Sequence, residues 1–148
     1  YVHQMKGVNS RMDEIQAAVL TLKLQRLDKD NERRRTIARM YDEGIQNPLV
    51  TLPPVASDPL SNVYHIYPLR CPARNQLQEF LASHGIQTQI HYPIAPHKQL
   101  AYREWARQKY RNSERIHSEE LSLPISPVLT DAEIQRVIDA VNAFNVDL

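Results

Sequence analysis

Chemistry in this chain is sparse, and it gathers at two places. The first is His91-Tyr92-Pro93. Pro93 cannot donate to a β-ladder and pushes Tyr92 toward extended geometry, so the chain is expected to leave a strand here. An imidazole beside a phenol supplies donors and acceptors near neutral pH, and strand ends in α/β proteins are common positions for functional side chains. The plainer alternative is that His91 and Tyr92 cap a sheet edge. The second place is Asn9-Ser10-Arg11, directly after Gly7. A glycine followed by a helix start offers free amides, and an Asn amide and an Arg fork add donors suited to a phosphate. An ordinary helix cap with one exposed arginine reads equally from the same residues. His97 and His117, taken with His91, raise the question of a metal. Their spacing matches no compact ligand pair and the lone cysteine is distant, so no metal site is expected.

The elements that must carry these residues begin with a long helix. Ser10, Asp13 and Glu14 make a capping-box start, and Met12, Ile15, Val19 and Leu22 recur at helical spacing, widened by Leu20, Leu24 and Leu27. The pattern resumes at Ile37, Met40 and Tyr41, and Gly44 suits the left-handed position after a helix end. Ser10 to Glu43 would span on the order of 50 Å, against about 40 Å for a compact chain of this length. Either the helix breaks near Asp28–Asn31 or its apolar stripe lies against other protein. Tyr1-Val2-His3 reads like the middle of a longer polypeptide, with no initiator Met and no signal segment.

Pro48 to Pro59 is a connection. Val63 to Arg70 alternates as a strand, Arg74 to Ser83 is a helix stopped by Gly85, and Ile86 to Tyr92 is the next strand. His97 to Arg111 is a short helix or an irregular excursion, Glu114 to Glu120 is helical, and Leu121 to Ile125 is a short strand. Thr130 caps a last helix with Glu133 three residues on and Ile134, Val137, Ile138 and Val141 along one face. The expected fold is α/β, or α+β, with a small mixed or antiparallel sheet. It divides into a long helical segment, residues 1–44, expected to face a dimer partner, and a small domain, residues 45–148.

Composition excludes several classes. One hundred and forty-eight residues with a net charge of +1 give no nucleic-acid footprint. Arg33-Arg34-Arg35 stands among acids and reads as a solvated helix face. The single cysteine, Cys71, excludes an internal disulfide and fits a reducing cytosol. No apolar run approaches the roughly twenty residues that cross a bilayer. A cytoplasmic chain is expected.

Three motifs in order carry a resemblance. Gly7-Val8-Asn9-Ser10-Arg11-Met12-Asp13-Glu14-Ile15-Gln16-Ala17-Ala18-Val19-Leu20 with Lys23-Leu24 and Leu27-Asp28 is the first. Gly85-Ile86-Gln87-Thr88 into Ile90-His91-Tyr92-Pro93, then Pro96-His97 and Gln99, is the second. Leu121-Ser122-Leu123-Pro124-Ile125 with Pro127 is the third. Together they resemble the C-terminal part of the DegT/DnrJ/StrS-type sugar aminotransferases, pyridoxal-phosphate (PLP) enzymes of the fold-type-I architecture that aminate nucleotide-linked keto sugars.

The resemblance implies roles. Asn9 would reach across a homodimer interface to the PLP phosphate of the partner subunit. Arg11 would lie near the same shared site and help to hold the anionic substrate, and His91 and Tyr92 would face the phosphates or the sugar of the nucleotide sugar. The family's Schiff-base lysine lies upstream of Tyr1, and none of Lys6, Lys23, Lys29, Lys98 and Lys109 has a matching context. The chain alone is therefore expected to be inactive, with no catalytic residue of its own. For the whole protein the implied reaction is a ping-pong transamination with glutamate as donor and a dTDP-linked 3-keto-6-deoxyhexose as acceptor; a UDP sugar or a 4-keto position stays open. Two other classes remain: a non-catalytic dimerisation domain, and a lysine-less dehydratase or regulator of the same family.

Overall fold

A computed structural model describes residues 2–146. An extended N-terminal segment leads into helix α1 (Glu14–Leu24) and helix α2 (Leu27–Gly44). Asp13, not Ser10, is the residue that starts α1: its carboxylate accepts from the Ile15 amide at 2.8 Å, and the Gln16 side chain returns to the Asp13 amide. The expected single helix is interrupted at Gln25–Arg26, slightly before Asp28. The acids Asp28 and Asp30 fall in the first turn of α2, where the helix dipole favours them.

Only the second half of the helical region joins the core. Ile37, Ala38 and Tyr41 of α2 are buried, whereas no residue of α1 is. Strand β1 (Tyr67–Arg70) pairs antiparallel with strand β2 (Glu120–Leu123), Tyr67 opposite Leu123 and Arg70 opposite Glu120. Single bridges extend this ribbon on both sides, Thr51 to Arg70 and Gln89 to Ser122. Helix α3 (Arg74–Ser83) follows β1, two short 3₁₀ turns (Pro96–Lys98 and Leu100–Trp105) and helix α4 (Arg111–Glu119) precede β2, and helix α5 (Asp131–Ala143) closes the chain. Tyr41, Tyr67, Leu69, Leu77, Leu121 and Ile134 are completely buried where α2, α3 and α5 meet one face of the ribbon.

Both expected strands around the site are shorter than their patterns. The Asn62 side chain accepts the Tyr64 amide at 2.8 Å, and Tyr64 takes a positive φ of 47°, so the extended run starts at Tyr67 instead of Val63. Residues 86–92 pair with the ribbon only at Gln89. Gly44 is the last residue of α2 and is not a left-handed cap. Its missing side chain admits α5, since a Cβ there would stand 2.9 Å from Ile138 Cδ1. Gly85 does take the left-handed conformation, φ 72°, after α3.

The arginine run is not a solvated face. Arg33, Arg34 and Arg35 are half-buried; Arg33 donates to the Leu129 carbonyl and pairs with Asp131 at 2.7 Å, and Arg35 donates to the Asn62 carbonyl. The Thr130 cap forms as expected, with its hydroxyl accepting the Glu133 amide and Glu133 accepting the Thr130 amide. Ile134, Val137, Ile138 and Val141 are buried. Asn142 and Asn47 join α2 to α5 reciprocally. Asn142 donates to the Gly44 carbonyl, and the Asn47 amide donates to Val141 and Phe144 carbonyls at the end of α5.

Candidate functional site

His91 stands beside the outer edge of β2. Successive side chains of a strand alternate in direction, so Leu121 and Leu123 enter the core while Glu120 and Ser122 turn together toward the 89–92 segment. Glu120 Oε2 accepts the His91 backbone N–H at 2.6 Å. Glu120 Oε1 accepts the Ser122 hydroxyl at 2.6 Å, and Ser122 Oγ lies 2.9 Å from His91 Nδ1. Glu120 and Ser122 are each 4% exposed, whereas His91 is half-buried. The result is a hydrogen-bonded line, Glu120–Ser122–His91, running from the buried strand to the ring.

The ring borders an open cavity of about 550 Å³, lined also by His65, Gln87, Thr88 and Ser122. Thr88 contributes a buried hydroxyl oxygen that has no hydrogen-bond partner. Tyr92 faces elsewhere. Its ring meets that of His91 edge-on at 5.5 Å and borders a second cavity of about 330 Å³, formed with His3, Lys6, Gly7, Tyr102 and His117. The peptide bond between His91 and Tyr92 is cis. His117, on α4, donates from Nδ1 to the Tyr92 carbonyl at 2.5 Å.

The three histidines weighed for a metal are thus engaged separately. His97, 5% exposed, bonds Glu114 at 2.9 Å, and that contact holds the Glu114 carboxyl below its usual range. His117 holds the Tyr92 carbonyl and His91 meets Ser122.

Asn9 and Arg11 lie in the extended segment before α1, both exposed and neither making a side-chain hydrogen bond among the described residues. That segment is fixed farther upstream: the His3 amide donates to the Gln99 side chain, the Ala101 amide to the His3 carbonyl, and Lys6 pairs with Glu104 at 2.8 Å. Gly7 consequently shares a cavity with Tyr92, two residues from Asn9. The structure brings the start of the Asn9 motif near Tyr92 and sets His91 in the neighbouring cavity. Glu120 and Ser122 were not among the expected site residues. The signal for them was the polar-apolar alternation of Glu120-Leu121-Ser122-Leu123, which reads as a polar edge behind His91 once the strand is known.

The donors present match one end of a PLP-like group: an exposed amide at Asn9 and a guanidinium at Arg11 suit a phosphate. Of the five lysines, Lys6 is paired with Glu104, and Lys98 with Glu114 and two main-chain carbonyls.

Comparisons with known proteins agree with the motifs. The chain is 52% identical over 144 residues to dTDP-3-amino-3,6-dideoxy-alpha-D-galactopyranose transaminase of Aneurinibacillus thermoaerophilus, covering 97% of this chain and 39% of that protein. It superposes on DesV of S. venezuelae, solved in complex with a ketimine intermediate, with a TM-score of 0.83 and 40% identity over 99% of this chain and 41% of that one. NtdA of Bacillus subtilis, solved with bound cofactor PMP, matches with a TM-score of 0.78 and 29% identity, covering 91% of this chain and 33% of that one. The chain thus spans about two-fifths of the length of the curated relative. The model of the DegT/DnrJ/EryC1/StrS aminotransferase family matches residues 1–142, and the chain belongs to that family.

Proposed function

We propose that this chain supplies the small domain and one side of a shared active site in a PLP-dependent aminotransferase acting on a nucleotide-linked keto-deoxysugar, the best candidate being a dTDP-linked 3-keto-6-deoxyhexose with glutamate as donor. The observation that supports it most is the 52% identity, over 144 residues and 97% of this chain, to a dTDP-3-amino-3,6-dideoxy-alpha-D-galactopyranose transaminase. In this reading the pair α1–α2, residues 1–44, faces a second copy of the protein. The exposed side chains of Met12, Ile15, Val19 and Leu22 are the apolar surface that such a partner would cover.

The residues divide the work by chemistry. Asn9 donates its amide to the cofactor phosphate of the partner's site, and Arg11 offers a fixed two-pronged donor to an anionic substrate group. His91 and Tyr92 hold the nucleotide sugar, each from the cavity that it lines. The cofactor supplies electron withdrawal at the carbon that gains or loses the proton. The Schiff-base lysine that moves this proton belongs to another part of the protein, so the chain alone is inactive.

The test is amino transfer by the whole protein, supplied with PLP, glutamate and the dTDP-linked keto sugar. Formation of 2-oxoglutarate together with the mass of a dTDP-linked amino sugar supports the reading. Glutamate left unconsumed, with the cofactor bound, refutes it.

A further inference from the structure

We propose that Glu120 and Ser122 are positioning residues that hold His91 with its proton on Nδ1, making Nε2 a hydrogen-bond acceptor for a hydroxyl of the bound sugar and not a cationic contact to phosphate. The sugar half of this proposal rests on the aminotransferase reading; the tautomer half does not.

A serine hydroxyl has one proton. In this structure it is directed to Glu120 Oε1 at 2.6 Å, so toward His91 Nδ1, at 2.9 Å, the Ser122 oxygen can offer only a lone pair. Nδ1 must then carry the ring proton. The reverse arrangement, with Ser122 donating to Nδ1, would leave two oxygen acceptors facing each other at 2.6 Å with no proton between them. Glu120 cannot turn away to relieve this, because its other oxygen accepts the His91 backbone amide at 2.6 Å. Burial of both Glu120 and Ser122 makes any lost bond costly, which fixes the line further.

With Nδ1 occupied, Nε2 is the ring's remaining polar atom, and no described residue bonds it. In the neutral ring it is an acceptor. A phosphate oxygen at neutral pH brings no proton to such an atom and would be repelled by its lone pair, whereas a hexose hydroxyl donates to it directly. The cavity beside His91 is of a size to admit a sugar ring and already holds the Thr88 hydroxyl oxygen, buried and without a partner.

The tautomer can be read directly by long-range ¹H–¹⁵N correlation of the histidine rings in the purified chain at pH 7.5. We expect His91 to show a protonated Nδ1 and an unprotonated Nε2. Glu120→Gln keeps the shape but reverses the polarity: its carbonyl takes the His91 amide, its NH₂ donates to Ser122, and the serine proton is released toward Nδ1. The ring proton should move to Nε2. Ser122→Ala, which removes the relay without a charge change, should leave the two tautomers mixed. An Nε2–H ring in the unaltered chain overturns the proposal, as does a tautomer that neither variant alters.

The ligand is tested at pH 7.5 by titrating free dTDP and a dTDP-linked hexose into the unaltered whole protein and its Glu120→Gln variant. Loss of the Nε2 acceptor in Glu120→Gln should weaken the dTDP-hexose about tenfold relative to dTDP, the scale of one hydrogen bond. Tighter binding of both ligands by Glu120→Gln, or an unchanged ratio of the two affinities, would overturn the acceptor role. No binding of either ligand by the unaltered protein would remove the sugar-nucleotide reading, and the hydroxyl ligand with it, without touching the tautomer result.

Discussion

Glu120 accepts the backbone N–H of His91 at 2.6 Å, joining the strand that closes the core to a loop 29 residues earlier in the chain. The carboxylate is nearly inaccessible, so its removal strands at least that amide and the Ser122 hydroxyl. Glu120→Ala should lower unfolding free energy by about 2–3 kcal/mol in urea melts, and Glu120→Gln by less than about 1 kcal/mol, because the amide keeps both contacts in altered polarity. Equal losses for the two variants would mean that the amide does not replace the carboxylate and that both contacts need its two acceptor oxygens.

Two buried phenols set the alkaline limit of stability. Tyr41 donates to the Pro124 carbonyl at 2.6 Å and Tyr67 to Asp42 at 2.5 Å, and burial keeps both hydroxyls protonated far above their ordinary range. Unfolded, each ionises near pH 10. The native state therefore binds more protons above that pH. The stability the phenols contribute is complete below about pH 10 and declines as pH rises further, with a limiting slope of about 2.7 kcal/mol per pH unit for the pair. Tyr41→Phe should halve that slope and cost about 1 kcal/mol at pH 7 through the lost hydrogen bond. Chemical denaturation at several alkaline pH values measures both; an unchanged slope would contradict the burial argument.

Gly85 ends α3 at φ 72°, and a Cβ there would also approach Arg136 Nη2 to 2.9 Å. Gly85→Ala should cost about 1 kcal/mol in thermal or urea melts. A gain in stability would show that the loop leading to His91 tolerates a different backbone conformation.

The apolar side chains of α1 are exposed, Ile15 at 78% and Leu22 at 68%. If they face a second copy, Ile15→Glu with Leu22→Glu should abolish dimers in sedimentation equilibrium while leaving the unfolding of the small-domain core unchanged, since neither residue touches it. Dimers that persist in the double variant would move the interface elsewhere.

Sequence pattern carried far where local chemistry and burial coincide. The Thr130–Glu133 box and the Ile134, Val137, Ile138, Val141 face of α5 are explicit in residue type and spacing, and α3 spans Arg74–Ser83 as its pattern requires. Strands were less legible because side-chain hydrogen bonds compete with the ladder: Asn62 bends Tyr64 out of β1's line, a choice that β-propensity does not reveal. The Arg33–Arg35 run looked solvent-facing because its acidic neighbours were counted along the helix, whereas the partners that bury it, Asp131 and the Leu129 carbonyl, arrive from the start of α5. The same holds at the site. His91 was visible as a strand-end histidine, but Glu120 and Ser122 are 29 and 31 residues away, and only the pairing of Gln89 with Ser122 puts them beside it.

The claim that this chain completes a partner's site is tested most directly by complementation between two crippled whole proteins. One carries Asn9→Ala, and the other carries its Schiff-base lysine replaced by alanine. Each should transfer little or no amino group alone. Co-refolded, they form mixed dimers in which one site regains both the lysine and the Asn9 donated across the interface, so about a quarter of the normal activity should return for random twofold pairing. Mixed dimers that form and stay inactive would contradict a shared site and return Asn9 to the role of an ordinary residue before a helix.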